Sequence, residues 1–151
     1  YRILAALETA APGKETAIAP LLAAFSANLK RRSFIILISD LLDDQEKVSR
    51  ALRLLKGAGH ELAVFHILDD EEVNFPYSCA SRFVDMETGQ TLAADAVSVR
   101  VEYKKNLAEF LNRYRAFCRD AGIEFVTTTT SKPVEKLLLE FLTRREMRKR
   151  A

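Results

Sequence analysis

The sequence predicts an α/β fold, a mostly parallel sheet with helices on both faces. Two apolar runs and the spacing of the residues around them carry that expectation. Phe34-Ile35-Ile36-Leu37-Ile38-Ser39-Asp40 is an unbroken apolar stretch that stops on a carboxylate, and Leu62-Ala63-Val64-Phe65-His66-Ile67-Leu68 is a second, which ends in Asp69-Asp70-Glu71-Glu72. Strands of a parallel sheet are buried on both faces, so they are apolar throughout instead of alternating. Apolar residues before, between and after the runs recur at helical spacing. Strands joined through helices need right-handed crossovers, which make the strands parallel.

The elements follow in order. Ile18, Leu21, Leu22, Phe25 and Leu29 share a helical face, with Pro20 close enough to the start to sit in the first turn, and Lys30-Arg31-Arg32 close this helix. The first strand, Phe34 to Ser39, comes at once. Asp43-x-x-Glu46 has the form of a capping box opening a helix whose apolar face is Val48, Ala51, Leu52 and Leu55, with Gly57 and Gly59 as its candidate end. After the second strand the pattern changes. Arg82-Phe83-Val84-Asp85-Met86 and Thr91-Leu92 flank Glu87-Thr88-Gly89-Gln90, a hairpin signal placed as an insertion on the sheet edge. The longest helix carries Tyr103, Leu107, Phe110, Leu111, Tyr114, Phe117 and Cys118 at spacings of three and four and ends at Gly122. Ile123-Glu124-Phe125-Val126-Thr127 is a third strand. Beyond a Thr/Ser run and Pro133, a last helix is expected to bury Val134, Leu137, Leu138, Phe141 and Leu142.

At 151 residues the chain fits a single domain spanning its whole length, large enough to bury about two-thirds of its unfolded surface. Hydrophobic residues at 48% with 29% charged exclude a disordered chain, and no apolar run approaches the roughly 18 residues of a membrane helix. A net charge of +2 is too small to argue for a polyanion, and no nucleic-acid partner is expected. The basic cluster Arg144-Arg145-Glu146-Met147-Arg148-Lys149-Arg150 is read as offsetting the last helix's dipole, since no stacking aromatics are interleaved with it. Cys79 and Cys118 lack CxxC spacing, and only His60 and His66 could join them, which argues against a structural zinc and for reduced thiols in the cytoplasm. The chain opens at Tyr1-Arg2-Ile3-Leu4 without an initiator Met, in what reads as the middle or end of a helix. Truncation at the amino end is therefore expected, with the first strand or strands upstream, and membrane attachment through that segment stays open.

Several fragments together resemble a known family. Gly13-Lys14-Glu15-Thr16 before a helix, followed by a strand ending Ile38-Ser39-Asp40, is similar to the later part of a von Willebrand factor A domain. His66-Ile67-Leu68-Asp69 with Glu72, Phe75-Pro76-Tyr77, Phe83-x-Asp85-x-Glu87-Thr88-Gly89, Tyr103-x-x-x-Leu107, and Thr128-Thr129-Thr130 leading to Arg144-Arg145 extend the likeness over nearly the whole chain. In order and spacing they resemble the bacterial domain-of-unknown-function family 58. The resemblance implies a three-layer von Willebrand factor A-like (Rossmann-like) fold. It also implies a metal-ion-dependent adhesion site, a hard-cation site of hydroxyls, carboxylates and waters suited to Mg²⁺ or Mn²⁺, with an open position for a partner's acidic group. Thr16 matches the family's threonine and Asp40 its last aspartate. The Asp-x-Ser-x-Ser loop that supplies the remaining ligands has no counterpart in these residues. The site is thus incomplete, and no tight metal is expected in this chain.

Two functions follow as expectations. The first is a non-enzymatic protein interaction module that presents Thr16, Asp40 and Asp43 to a partner. The resemblance implies a MoxR-type AAA+ ATPase as that partner. The second is a Mg²⁺-dependent phosphoester hydrolase with Asp40, Asp43 and Asp69 as metal ligands at adjacent strand ends. No nucleophile motif, P-loop or Cys/His pair supports the enzyme. Each residue also has a plainer reading: Thr16 as a helix cap, Asp40 as a residue that caps or solvates a strand-to-helix turn, Asp69 to Glu72 as a solvated loop and His66 as a hydrogen-bonded core histidine.

Overall fold

In chain order the elements are helix α1 (Ile18–Asn28), strand β1 (Phe34–Ser39), helix α2 (Gln45–Gly57), strand β2 (Glu61–Leu68), the short helix α3 (Asp70–Asn74), strands β3 (Ala80–Val84) and β4 (Thr91–Asp95), helix α4 (Ala96–Ala121), strand β5 (Glu124–Thr129) and helix α5 (Val134–Arg150). They belong to a computed structural model that describes residue 9 and residues 17–78, 80–84 and 91–150. Strands β1, β2 and β5 form a three-stranded sheet in that order. Both pairings are parallel, with Ser39 opposite His66 and Leu68 opposite Thr129, so the three carboxyl ends emerge on the same side.

Successive residues of β2 point to opposite faces, and each face has its own core. Leu62 and Val64 pack with Ile35 of β1, Ile18 and Leu22 of α1, Val48, Leu52 and Leu55 of α2, and Tyr114 and Cys118 of α4. Ala63 and Phe65 pack with Val126 of β5 and Leu137 and Phe141 of α5 on the other face. Helices therefore cover both faces of a parallel sheet, which is the expected α/β, Rossmann-like architecture. Helix α2 buries all four residues of its predicted stripe. Each fully buried Val or Leu side chain contributes about 1.5–3 kcal/mol.

The helix ends show local chemistry at work. Helix α4 stops at Gly122, which takes the left-handed conformation at φ +66 and returns its N–H to the last turn. Gly59, at φ +89, turns the chain from α2 into β2.

Several expectations change. Helix α1 ends at Asn28, before Leu29 and the basic triplet, and it buries Ile18 and Leu22 while Leu21 and Phe25 stay exposed. In α5 only Leu137 and Phe141 of the five predicted residues are buried. Val134 (63%), Leu138 (43%) and Leu142 (56%) remain exposed, because α5 lies over β2 and β5 and leaves that face of β1 largely open. Phe34, Ile36 and Ile38 are exposed there, although Phe34 still stacks on Phe141 at 6.5 Å. The hairpin of β3 and β4 exists, but as a separate two-stranded antiparallel sheet instead of an addition to the main sheet's edge. The segment leading to it is held by α4: Phe75 lies 4.8 Å from the ring of Tyr103, and Arg100 donates to the Tyr77 carbonyl. Its turn, residues 85–90, lies outside the described residues, as does Cys79.

Candidate functional site at the strand carboxyl ends

The parallel register brings Asp40, Asp69 and Thr130 together, each immediately after its strand. This is where open α/β sheets place their ligands. The turn after β1 is built around Leu41, whose φ of 59 is in the left-handed region and whose side chain is completely buried. A bulky residue adopts that conformation at a cost of about 1–3 kcal/mol, offset here by filling the core. The Ser39 hydroxyl oxygen accepts from Leu41 N–H at 3.0 Å and so supports the same turn.

Beneath the turn, the imidazole of His66 ties the neighbouring strand to it. Nε2 lies 2.8 Å from the Asp40 carbonyl oxygen. A carbonyl only accepts, so Nε2 carries the proton and Nδ1 presents a bare lone pair. His66 is completely buried, flanked by the Phe110 and Phe125 rings, and its Nδ1 has no partner among the described residues. Loss of solvent pushes its pKa below 6.5, with the Asp40 carbonyl and carboxylate pulling the other way. His66 is thus a neutral, hydrogen-bonded core histidine, as the plainer reading expected.

Asp40 is exposed. Its Oδ1 accepts from Leu42 N–H at 3.2 Å and lies 3.4 Å from the Ser39 hydroxyl. Its Oδ2 makes no hydrogen bond, and no cation pairs with it among the described residues. The other carboxylates are committed elsewhere. Asp43 Oδ2 accepts from Ile18 N–H at 2.8 Å and Ala19 N–H at 3.4 Å, which caps α1 from 25 positions along the chain, and its Oδ1 accepts from Asp44 N–H at 2.6 Å. The Asp44 N–H, with a smaller contribution from α1, holds its carboxyl below the usual range. The cap of α2 is Asp44, not the expected Asp43: its Oδ1 accepts from Glu46 and Lys47 N–H. Helix α1 lacks a capping side chain of its own, since Ala17 stands at its N-cap, and Asp43 is consumed in supplying one.

Asp69 through Glu72 form a capping box instead of a loop. Asp69 Oδ1 accepts from Glu71 N–H at 2.8 Å while Glu72 Oε2 accepts from Asp69 N–H at 2.7 Å. Thr130 then donates its hydroxyl to Asp69 Oδ2 at 2.9 Å, joining the ends of β2 and β5. The Glu71 N–H first, and the Thr130 hydroxyl second, lower the pKa of Asp69. Thr16, expected beside Asp40, lies outside the described residues.

Two hollows flank Asp40. A shallow one of ≈ 360 Å³ is bordered by Ser39, Asp69, Glu72 and Thr130. A mostly apolar one of ≈ 390 Å³ lies toward α4, where Leu42, Leu68, His66, Tyr103, Phe110 and Arg113 meet. Asp40 and Glu72 line both. Burial and, to a smaller extent, Glu72 raise the pKa of Tyr103, so its phenol stays protonated. Sequence reasoning missed Glu72, Tyr103, Phe110 and Arg113 as residues of the site. The positions 103, 106, 107, 110 and 113 do share one helical face, and Asp69-x-x-Glu72 is a capping-box signature, so both signals were present.

Among the described residues no group of three or more His, Cys, Asp or Glu side chains is placed to hold a metal ion. Asp40 and Ser39 offer a carboxylate and a hydroxyl from one side, short of the six oxygens of an octahedral Mg²⁺ site. These residues do not make a cation centre by themselves. No helix among the described residues is long and apolar enough to cross a membrane.

No curated protein and no solved structure matches the chain. Residues 1–112 match the family model described as Protein of unknown function DUF58. That span takes in β1, β2, the hairpin and the first two-thirds of α4, and with it Asp40 and most of both hollows. With well over half of its 151 residues matched, the chain belongs to the DUF58 family.

Proposed function

We propose that the chain is a non-enzymatic protein interaction module of von Willebrand factor A type, which docks its partner on the carboxyl end of the sheet. The observation that carries this reading is Asp40, an exposed strand-end carboxylate with one oxygen unbonded among the described residues, set between two hollows and held by the buried His66 and Leu41. A free, rigidly positioned carboxylate suits a cation bridge to an acidic group on a partner, and the apolar hollow beside it suits an inserted side chain. The further cation ligands in this proposal are Thr16 and residues upstream of Tyr1, with Mg²⁺ or Mn²⁺ as the ion. A MoxR-type AAA+ ATPase is the proposed partner, in the cytoplasm.

The hydrolase alternative draws less support. It requires Asp43 and Asp69 as ligands, and both carboxylates are already occupied, one as the cap of α1 and the other between α3 and Thr130.

Calorimetric titration of Mg²⁺ and Mn²⁺ into this chain, and into a form extended upstream, tests the cation bridge. Binding by the extended form alone, lost on Asp40→Ala, is the expected result. No binding by either form removes the bridge from the proposal. Turnover of an aryl phosphate with either ion would favour the hydrolase.

A further inference from the structure

At the opposite end of the sheet, α4 and α5 flank the start of β5 and leave a groove of ≈ 350 Å³. Its walls are Arg115 and Arg119 from α4 and Arg144 and Arg148 from α5, and Phe125 and Phe141 contribute its apolar surface. Among the described residues Glu124 is the only carboxylate lining it, and that group is engaged by Arg145 at 3.1 Å and more loosely by Arg148 at 3.9 Å. Arg145 also pairs with Glu61 and lies over the Phe34 ring at 3.8 Å, so it is the structural tie between α5 and the sheet. Arg119 pairs with the adjacent Asp120 at 3.2 Å. Arg115 and Arg144 make no salt bridge among the described residues: Arg115 donates to the Asn112 amide oxygen at 3.4 Å, and Arg144 feels the charge of Glu140, whose carboxylate is bonded to Lys132 at 2.7 Å.

Dipole compensation accounts for part of this cluster and leaves the rest. That effect fades beyond the last turn of a helix. It covers Arg119 in α4 and Arg148 in α5, whereas Arg115 and Arg144 stand six residues before their helix ends at Ala121 and Arg150. Four guanidinium groups around one hollow repel one another, and a cleft with apolar walls strengthens their field. The planar guanidinium fork matches the oxygens of phosphate two at a time, and a groove of this size admits a small phosphorylated group.

We infer that this groove binds a phosphate-bearing anion, with Arg115 and Arg144 as its principal contacts. The inference is independent of the docking face around Asp40. All four arginines lie beyond residue 112, outside the span matched to the family. The same chemistry is offered by a free phosphorylated small molecule and by an anionic lipid headgroup, and two measurements separate them. Inorganic pyrophosphate is titrated into the chain by calorimetry at low salt, and sedimentation is followed with phosphatidylglycerol vesicles against phosphatidylcholine vesicles. Binding to either probe, weakened at least tenfold in Arg115→Gln/Arg144→Gln with an unchanged melting temperature, is the expected result. Pyrophosphate binding identifies a soluble ligand, and binding to the charged vesicles alone identifies a headgroup. Arg148→Gln should weaken binding less, and Lys104→Gln, elsewhere on α4, should leave it unchanged. No binding to either probe, or binding that the double substitution leaves intact, overturns the inference.

Discussion

His66 is held neutral by burial, and its one hydrogen bond fixes the turn that carries Asp40. Its pKa is depressed on folding, so the unfolded chain takes up the proton more readily than the folded one. The stability associated with neutral His66 is therefore fully present above 6.5, the unperturbed value, and is lost as pH falls below it. Chemical denaturation followed across that range should show stability falling on acidification, and His66→Gln should flatten the dependence. An unchanged slope would mean that other groups govern it. Asp40 and Asp43 make a second pair of tests. Asp43→Ala removes the one side-chain cap of α1 among the described residues and should cost on the order of 1 kcal/mol in denaturant unfolding. Asp40→Ala removes two long hydrogen bonds in an exposed turn and should leave stability within about 0.5 kcal/mol. A run ending on a carboxylate was enough to single out Asp40 from the sequence. It could not show that Asp43 reaches back to α1, because a cap supplied from 25 positions away leaves no local signature.

Among elements, α2 and α5 mark how far periodicity can be trusted. The stripe of α2 is buried as its spacing predicted, since the helix is pressed between α1 and the sheet. The stripe of α5 has the same spacing, yet only Leu137 and Phe141 are covered. Spacing identifies a face but not the width of the surface it meets, and the surface of β2 and β5 beneath α5 is narrow. Phe141→Ala should accordingly cost about 3–5 kcal/mol in denaturant unfolding, for it fills the core between Phe34 and Phe65. Leu142→Ala, on an exposed position, should change stability by no more than about 0.5 kcal/mol. Equal losses from the two would mean that α5 buries its whole predicted stripe. The hairpin was legible as a hairpin, but its placement depended on ring contacts between Phe75 and Tyr103 that no local pattern encodes.

For the molecule as a whole, two apolar runs ending in acid sufficed to anticipate a parallel sheet, because burial on both faces demands such runs. The same runs placed Asp40 and Asp69 on one edge, since parallel strands present all their carboxyl ends together. What was not legible is which acids are free. Among the described residues, hydrogen bonding within the fold occupies both oxygens of Asp43 and Asp69 and leaves Asp40, with Glu72 beside it, one open oxygen each. The chain then has two separate surfaces, an acidic strand-end face at one end of the sheet and an arginine-lined groove at the other. The proposal that the first is a docking face is tested most directly by measuring the affinity of a MoxR-type AAA+ ATPase for the upstream-extended chain and for its Asp40→Ala and Asp43→Ala forms, with Mg²⁺ present. The account predicts at least a tenfold loss for Asp40→Ala with an unchanged melting temperature, and a modest loss of stability for Asp43→Ala with affinity retained. ATPase binding by Asp40→Ala equal to that of the unaltered chain, or no binding by any form, would contradict it.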